Sequence, residues 1–181
     1  MKIFSFYKIE RIKNLKSLKI KIFKEIQKNN IKGLVILSKE GINTTIAGNY
    51  KDISNFVKYI KSILNIKKFD TENITYSSFI PFLKAKVKIK NEVVPMDYNF
   101  SFKNKIRKNY LSPKKWDNLL SQKNAKIVDA RKPFEYEVGT FKGAINPNTY
   151  NFREFKTYLS NLDKKQKIGM FCTGGIRCEK A

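Results

Sequence analysis

The chain has 181 residues, 41% of them hydrophobic, enough for one ordinary domain or two small ones with a real core, so disorder is not the default reading. Its 38 basic and 15 acidic residues leave a formal charge of +23, and the absence of histidine excludes His-based triads and, with two cysteines, an ordinary structural zinc site. No window approaches the ~18 uninterrupted apolar residues of a bilayer span, and lysine returns too soon after Met1 for a signal-peptide core, so a cytoplasmic protein without membrane contact is expected.

A charge of this size suggests a polyanion such as RNA or DNA, bound in a salt-dependent way. Only Arg11, Arg107, Arg131, Arg153 and Arg177 among the basic residues are arginine. Drift toward lysine codons in an A+T-rich genome produces the same charge, and the two causes carry equal weight.

Taken in order, Ile3–Ile9 is aromatic and β-branched, as a strand should be. Asn14 is placed to cap a helix through Leu15, Leu18, Ile22, Phe23 and Ile26, which Asn29 and Asn30 stop. Gly33–Ser38 and Ile42–Ala47 predict a hairpin around Lys39-Glu40-Gly41. Lys51–Leu64 repeats the helical spacing, with Asp52 in its first turn, and Ile74–Ser78 and Ala85–Lys90 read as further strands. The order βαββαβ predicts a ferredoxin-like α+β domain over residues 1–98. Lysines alternating through Lys84–Lys90 suit a protected edge strand at least as well as an RNA-tracking stripe.

Residues 99–112 read as a basic linker, with Lys103, Lys105, Arg107 and Lys108 interleaved by Phe100, Phe102 and Tyr110; these rings pin the segment to a neighbouring domain or, less expectedly, stack on bases. Ser112-Pro113 then opens a helix through Trp116, Leu119 and Leu120. A strand at Lys126–Ala130, a loop or helix carrying Glu135, a short strand at Ala144-Ile145, a helix from Phe152 to Leu162 and a strand at Lys167–Phe171 predict a parallel α/β unit over 113–181, with sites at the carboxyl ends of its strands.

One such strand runs into Cys172-Thr173-Gly174-Gly175-Ile176-Arg177-Cys178. A glycine-bearing loop here can aim consecutive N–H groups at one point, and a following helix start together with the Arg177 guanidinium would favour a thiolate at Cys172. The bland reading is a small buried cysteine at a strand end. Two cysteines six positions apart do not form a secreted disulfide framework, and a reducing compartment suits a reactive thiolate.

The Asp129-Ala130-Arg131 strand end, Glu135, the Gly143-Ala144-Ile145-Asn146 turn and the CxxGxR loop resemble, in that order, a rhodanese domain. With Ser38–Gly48, Tyr110–Pro113, Gly139–Asn148, Asn151–Phe155 and Phe171–Ala181, essentially the whole chain resembles the rhodanese-domain tRNA uridine hydroxylase family. That resemblance implies an acylphosphatase-like first domain, a rhodanese-like second domain, tRNA as partner, and oxygen-dependent formation of 5-hydroxyuridine at the wobble position. It also implies Cys172 as the catalytic cysteine, by rhodanese analogy a persulfide carrier. Two departures stand out. Thr44 occupies a position where the family usually has glycine, so the hairpin is expected to be locally reshaped. The chain also ends at Ala181, before the helix and further strand a rhodanese domain needs, so an incomplete second domain and a weakened helix dipole at Cys172 are expected.

For the individual residues, Thr173, Gly174, Gly175 and Ile176 are expected to form the anion-binding loop, and Arg177 to steady the thiolate or bind phosphate. Cys178 is expected to pack under the loop rather than to resolve a sulfenic acid or persulfide. Asp129, Arg131 and Glu135 are expected to be structural support. No metal or nucleotide-cofactor motif is present, so the cofactor is unknown beyond the oxygen implied by the resemblance. Thiolate addition to the pyrimidine and persulfide chemistry both stay open. The competing functions are a sulfurtransferase working through a Cys172 persulfide and an inactive basic RNA-binding remnant.

Overall fold

In β1 (Lys2–Ile9), Phe4 and Phe6 are buried while Ser5 between them is not, the alternation of a strand with one face on a core. The computed structural model describes residues 1–98 and 110–181, and the chain forms two compact units, Met1–Val93 and Val94–Ala181. In the first unit, α1 (Leu15–Lys28) buries Ile22 and Ile26, four residues apart on one face, whereas Phe23 lies off that stripe, 38% exposed. Asn14 does not cap this helix with its side chain: its backbone is left-handed (φ 54°), and only its carbonyl is used, accepting from the Leu18 N–H. Asn30, also left-handed at φ 48°, turns the chain away after the helix.

The expected hairpin pairs β2 (Lys32–Ser38) with β3 (Gly41–Gly48) in antiparallel register from Lys32↔Ala47 to Ser38↔Gly41. Gly41 (φ 147°) sits where an added Cβ would collide with the Lys8 carbonyl, so the turn can lie this close to β1 only with glycine. Thr44 does not reshape the hairpin. It stays in register opposite both Val35 and Phe6, because a β-branched residue suits a strand, but its hydroxyl is buried without a partner. In α2 (Tyr50–Ile63) the apolar stripe is Ile53, Phe56 and Ile60, all fully buried. β4 (Thr71–Tyr76) and β5 (Ala85–Ile89) complete a sheet ordered β4-β1-β3-β2-β5, antiparallel except for the parallel pair β2–β5. The first four strands are in the ferredoxin-like order, and β5 extends it as an edge whose Lys86 and Lys88 are exposed around buried Val87. Phe6 stacks on Phe69 at 4.0 Å within the core.

In the second unit, α3 (Pro113–Leu120) starts as the sequence predicts, with the Ser112 hydroxyl accepting from the Lys115 N–H. β6 (Ala125–Asp129) and β7 (Lys167–Phe171) pair in parallel from Ala125↔Lys167 to Asp129↔Phe171. The strand expected at Ala144-Ile145 is reduced to one parallel bridge, Val128↔Ile145. The helix expected from Phe152 is shorter, α5 (Phe155–Ser160), because the Asn151 side chain and carbonyl engage the N–H groups of Arg153 and Glu154 in a turn. One face of the strand pair buries Val128 with Phe155 and Met170, and the other packs Ile127 against Leu119 and Trp116. Burial on both faces is what an α/β arrangement requires, and Phe155 alone, fully buried, contributes ~2–3 kcal/mol. Short helices α4 (Pro133–Val138) and α6 (Ile176–Lys180) follow the ends of β6 and β7. The basic run from Lys103 to Lys108 lies outside the described residues.

Candidate active site

Both parallel strands release their chains on the same side, so Asp129 at the end of β6 and Cys172 just after β7 are brought together across 43 positions of sequence. From Cys172 the chain turns through Gly175, whose φ of 86° is left-handed, into α6. Gly174 has no such requirement, and a Cβ there would meet nothing. The turn brings the Gly175 N–H to 3.2 Å from the Cys172 Sγ.

The Cys172 thiol titrates at about 6, lowered from 9.0. The largest cause is a hydrogen bond from the Cys178 thiol; burial opposes it, and the N–H groups of Cys178, Arg177 and Gly175 reinforce it. Cys178 is pushed up, because its proton is held by Cys172 and its own thiolate would be buried beside another negative sulfur. The pair therefore carries one negative charge, on Cys172, at neutral pH. Cys178 does pack against the Phe155 cluster, yet it is more than packing: its thiol is the principal donor to its neighbour. The helix after the loop is present as a five-residue segment, and the peptide N–H groups and this thiol stabilise the charge.

Arg177 is also placed differently from expectation. Its guanidinium pairs with Glu135 at 2.9 Å and donates to the Ala130 carbonyl at 3.3 Å, so its contribution to the thiolate is through its backbone N–H. Glu135 in turn accepts from the Thr173 hydroxyl at 2.7 Å. Burial pushes the Glu135 carboxyl up, but hydrogen bonds from Thr173 and the Lys132 N–H, with the Arg177 charge, hold it below the ordinary carboxylate value. One carboxylate thus fastens both ends of the loop to α4.

Asp129, fully buried, accepts from Arg131 Nε at 2.9 Å and Nη2 at 2.7 Å, a bidentate pair, and from the Thr140 hydroxyl at 2.9 Å. Burial pushes its pKa up and these bonds pull it down, with the net effect downward. Arg131 also donates to the Gly139 carbonyl at 2.6 Å and lies 5.4 Å from the Phe171 ring centroid. Hydrogen bonding to Asp129 is the main reason Arg131 is held more firmly protonated, and the Cys172 charge adds to it. Arg131, then, is a cation whose field reaches the thiolate.

These groups line a pocket of about 350 Å³ walled by Arg131, Thr140, Phe141, Phe171, Cys172 and Thr173. Phe141 and Phe171 meet edge to face at 4.9 Å, and the chain's one tryptophan, Trp116, contacts both rings. The pocket is large enough for a pyrimidine and is walled by aromatic rings, with a guanidinium as hydrogen-bond donor and the Thr140 and Thr173 hydroxyl oxygens as acceptors. Thr140 and Phe141 are not singled out by motif reading; their place beside Asp129 and Phe171 comes from the Tyr136–Gly143 connection folding back over the strand ends. Among the described residues, no three acidic or cysteine side chains are grouped to hold a metal ion.

Comparison with known proteins agrees with both halves of this description. Residues 1–93 match the UPF0176 acylphosphatase-like domain, and residues 112–181 match the rhodanese-like domain. A protein of Pelagibacter ubique (strain HTCC1062) named tRNA uridine(34) hydroxylase is 52% identical over 179 residues, covering 99% of this chain and 59% of that protein. The chain thus spans about three-fifths of that relative's length. Proteins of the same name from Legionella pneumophila strains Corby and Paris are 42% and 41% identical, covering 97% of this chain and 70% of each. An acylphosphatase-like module, a rhodanese-like module and this level of identity lead to one assignment: the chain belongs to the tRNA uridine(34) hydroxylase family.

Proposed function

We propose that this protein works on tRNA in the cytoplasm, hydroxylating the wobble uridine to 5-hydroxyuridine with oxygen as co-substrate and Cys172 as the reacting group. The observation that carries this reading is a cysteine titrating at about 6 on the wall of an aromatic pocket of pyrimidine size. A thiolate adding to C6 of the pyrimidine makes C5 nucleophilic. Molecular oxygen supplies one oxygen atom to C5 while a two-electron reductant takes the other to water, and loss of the C5 proton with departure of the thiolate restores the ring and the thiolate. Phe141 and Phe171 wall the base, while Arg131 Nη1 stands ready to donate to one of its carbonyl oxygens and the Thr173 hydroxyl oxygen, whose proton goes to Glu135, to accept from its N–H. The N–H groups of Gly175, Arg177 and Cys178, with the Cys178 thiol, keep Cys172 ionised between turnovers. Asp129, Arg131 and Glu135 hold the loop and pocket in shape.

Mass spectrometry of tRNA nucleosides from cells lacking the gene tests the reading. 5-Hydroxyuridine and its derivatives should disappear, return with the wild-type gene and stay absent with Cys172→Ser. Unchanged levels in the deletion reject it.

A sulfurtransferase reading has one specific observation in its favour, the rhodanese-like match over residues 112–181 with the cysteine at the head of its loop. It requires thiosulfate-to-cyanide transfer that Cys172→Ser abolishes, and a protein mass that gains one sulfur after exposure to thiosulfate.

A further inference from the structure

A second cavity, of about 360 Å³, lies beside the cysteine pocket and shares Arg131 with it. It is walled by Lys132, Thr149, Tyr150, Phe152 and Arg177 and takes no part in the chemistry above. Its floor is rigid: Phe152 stacks on the fully buried Phe155 at 5.1 Å with an interplanar angle of 16°. Its lip is different. Tyr150 is 71% exposed, a large ring in water whose backbone N–H donates to Glu154 at 3.1 Å.

The charge around this cavity is unevenly placed, with three cations on its wall and the Glu154 carboxylate at its lip. Arg131 is committed to Asp129 and Arg177 to Glu135, which leaves exposed Lys132, whose backbone N–H rather than its ammonium meets Glu135. An aromatic ring next to an exposed cation is the combination that binds a nucleotide of an unpaired strand, the ring stacking on the base and the cation meeting the phosphate. A cavity that shares a wall with the proposed base pocket lies within reach of the next nucleotide of the same strand.

We propose that this cavity is a subsite for the nucleotide flanking the reacting uridine in single-stranded RNA, its base on Tyr150 and its phosphate at Lys132. The inference rests on the RNA reading above and deepens it. The test is equilibrium binding, measured without turnover on the wild-type chain, Tyr150→Ala, Tyr150→Phe and Lys132→Ala. The probes are a fluorescently labelled uridine-centred trinucleotide and uridine 5′-monophosphate. Tyr150→Ala and Lys132→Ala should each weaken trinucleotide binding about tenfold while leaving the monophosphate unchanged, and Tyr150→Phe should stay within about twofold of wild type. Lys132→Ala should also flatten the salt dependence of trinucleotide binding by ~0.7 in log–log slope, a change that a purely structural lysine does not produce. Iodoacetamide should alkylate Cys172 at the wild-type rate in all three variants, which shows the loop intact.

Equal loss for both probes, wild-type trinucleotide affinity in Tyr150→Ala, or a trinucleotide bound no more tightly than the monophosphate each overturns the subsite. Failure of the hydroxylase reading looks different. The binding pattern then holds while tRNA from the deletion strain keeps its 5-hydroxyuridine.

Discussion

Removing the Cys178 thiol tests the central electrostatic claim most directly. In Cys178→Ala the Cys172 thiolate keeps its backbone donors but loses the largest cause of its ionisation. A hydrogen bond to a charged acceptor is worth ~1.5–3 kcal/mol, so the midpoint should rise by about one to two pH units, from about 6 to ~7–8. At pH 7 the thiolate fraction then falls from about 90% to somewhere between ~50% and ~10%. Nucleophilicity moves the other way, since a more basic thiolate reacts faster with a Brønsted coefficient of ~0.4–0.5. Rate at a single pH is therefore a poor readout, and the midpoint of the full profile is the one to use. Stopped-flow alkylation by iodoacetamide from pH 4 to 10 provides it, and Cys178→Ala leaves a single thiol in the chain. Cys178→Ser, whose hydroxyl can still donate, should keep a midpoint nearer wild type, and Cys172→Ala should show Cys178 reacting only above neutral pH, since partial burial still pushes that half-buried thiol up. A Cys178→Ala midpoint equal to wild type refutes the claim, because the peptide N–H groups alone would then account for the charge.

Three further outcomes follow from the same geometry. Because the folded Cys172 titrates at about 6 against 9.0, its contribution to stability is complete above pH ~9 and is lost as pH falls through about 6. With no imidazole in the chain to titrate across that window, urea denaturation should show wild type gaining about 2 kcal/mol between pH 6 and 8 relative to Cys172→Ser, and parallel curves argue against a native thiolate. Glu135→Gln leaves the partly buried Arg177 without its carboxylate and weakens the tie to Thr173, so it should cost ~1–3 kcal/mol in urea denaturation, while the lost negative charge and the freed Arg177 cation lower the Cys172 midpoint; unchanged stability shows that the loop does not need this fastening. Thr44→Val removes a buried hydroxyl without a partner and keeps the β-branched shape, so thermal unfolding should shift upward by the equivalent of ~1 kcal/mol, and a downward shift means that the hydroxyl is satisfied in solution.

Local pattern and order alone determine much of this molecule. Strand alternation in β1, the helical stripe Ile53, Phe56 and Ile60, and the Ser112-Pro113 helix start are written in neighbouring residues, because burial and capping are short-range requirements. The glycine-bearing loop at Cys172 is legible for the same reason: a left-handed residue at Gly175 is a demand of the local backbone. What each side chain in that loop meets is not legible, since a partner's distance depends on how β6, β7 and α4 pack. Arg177 is drawn to Glu135, 42 positions away, rather than to the adjacent sulfur; Arg131 supplies the nearby cation; and the Cys178 thiol reaches Cys172 only because the turn at Gly175 folds one back on the other. Sequence by itself determined which residues lie in the loop after the strand and on which elements the polar groups sit, whereas tertiary structure decided which charges neutralise one another, because electrostatic energy falls with distance through space and takes no account of separation along the chain.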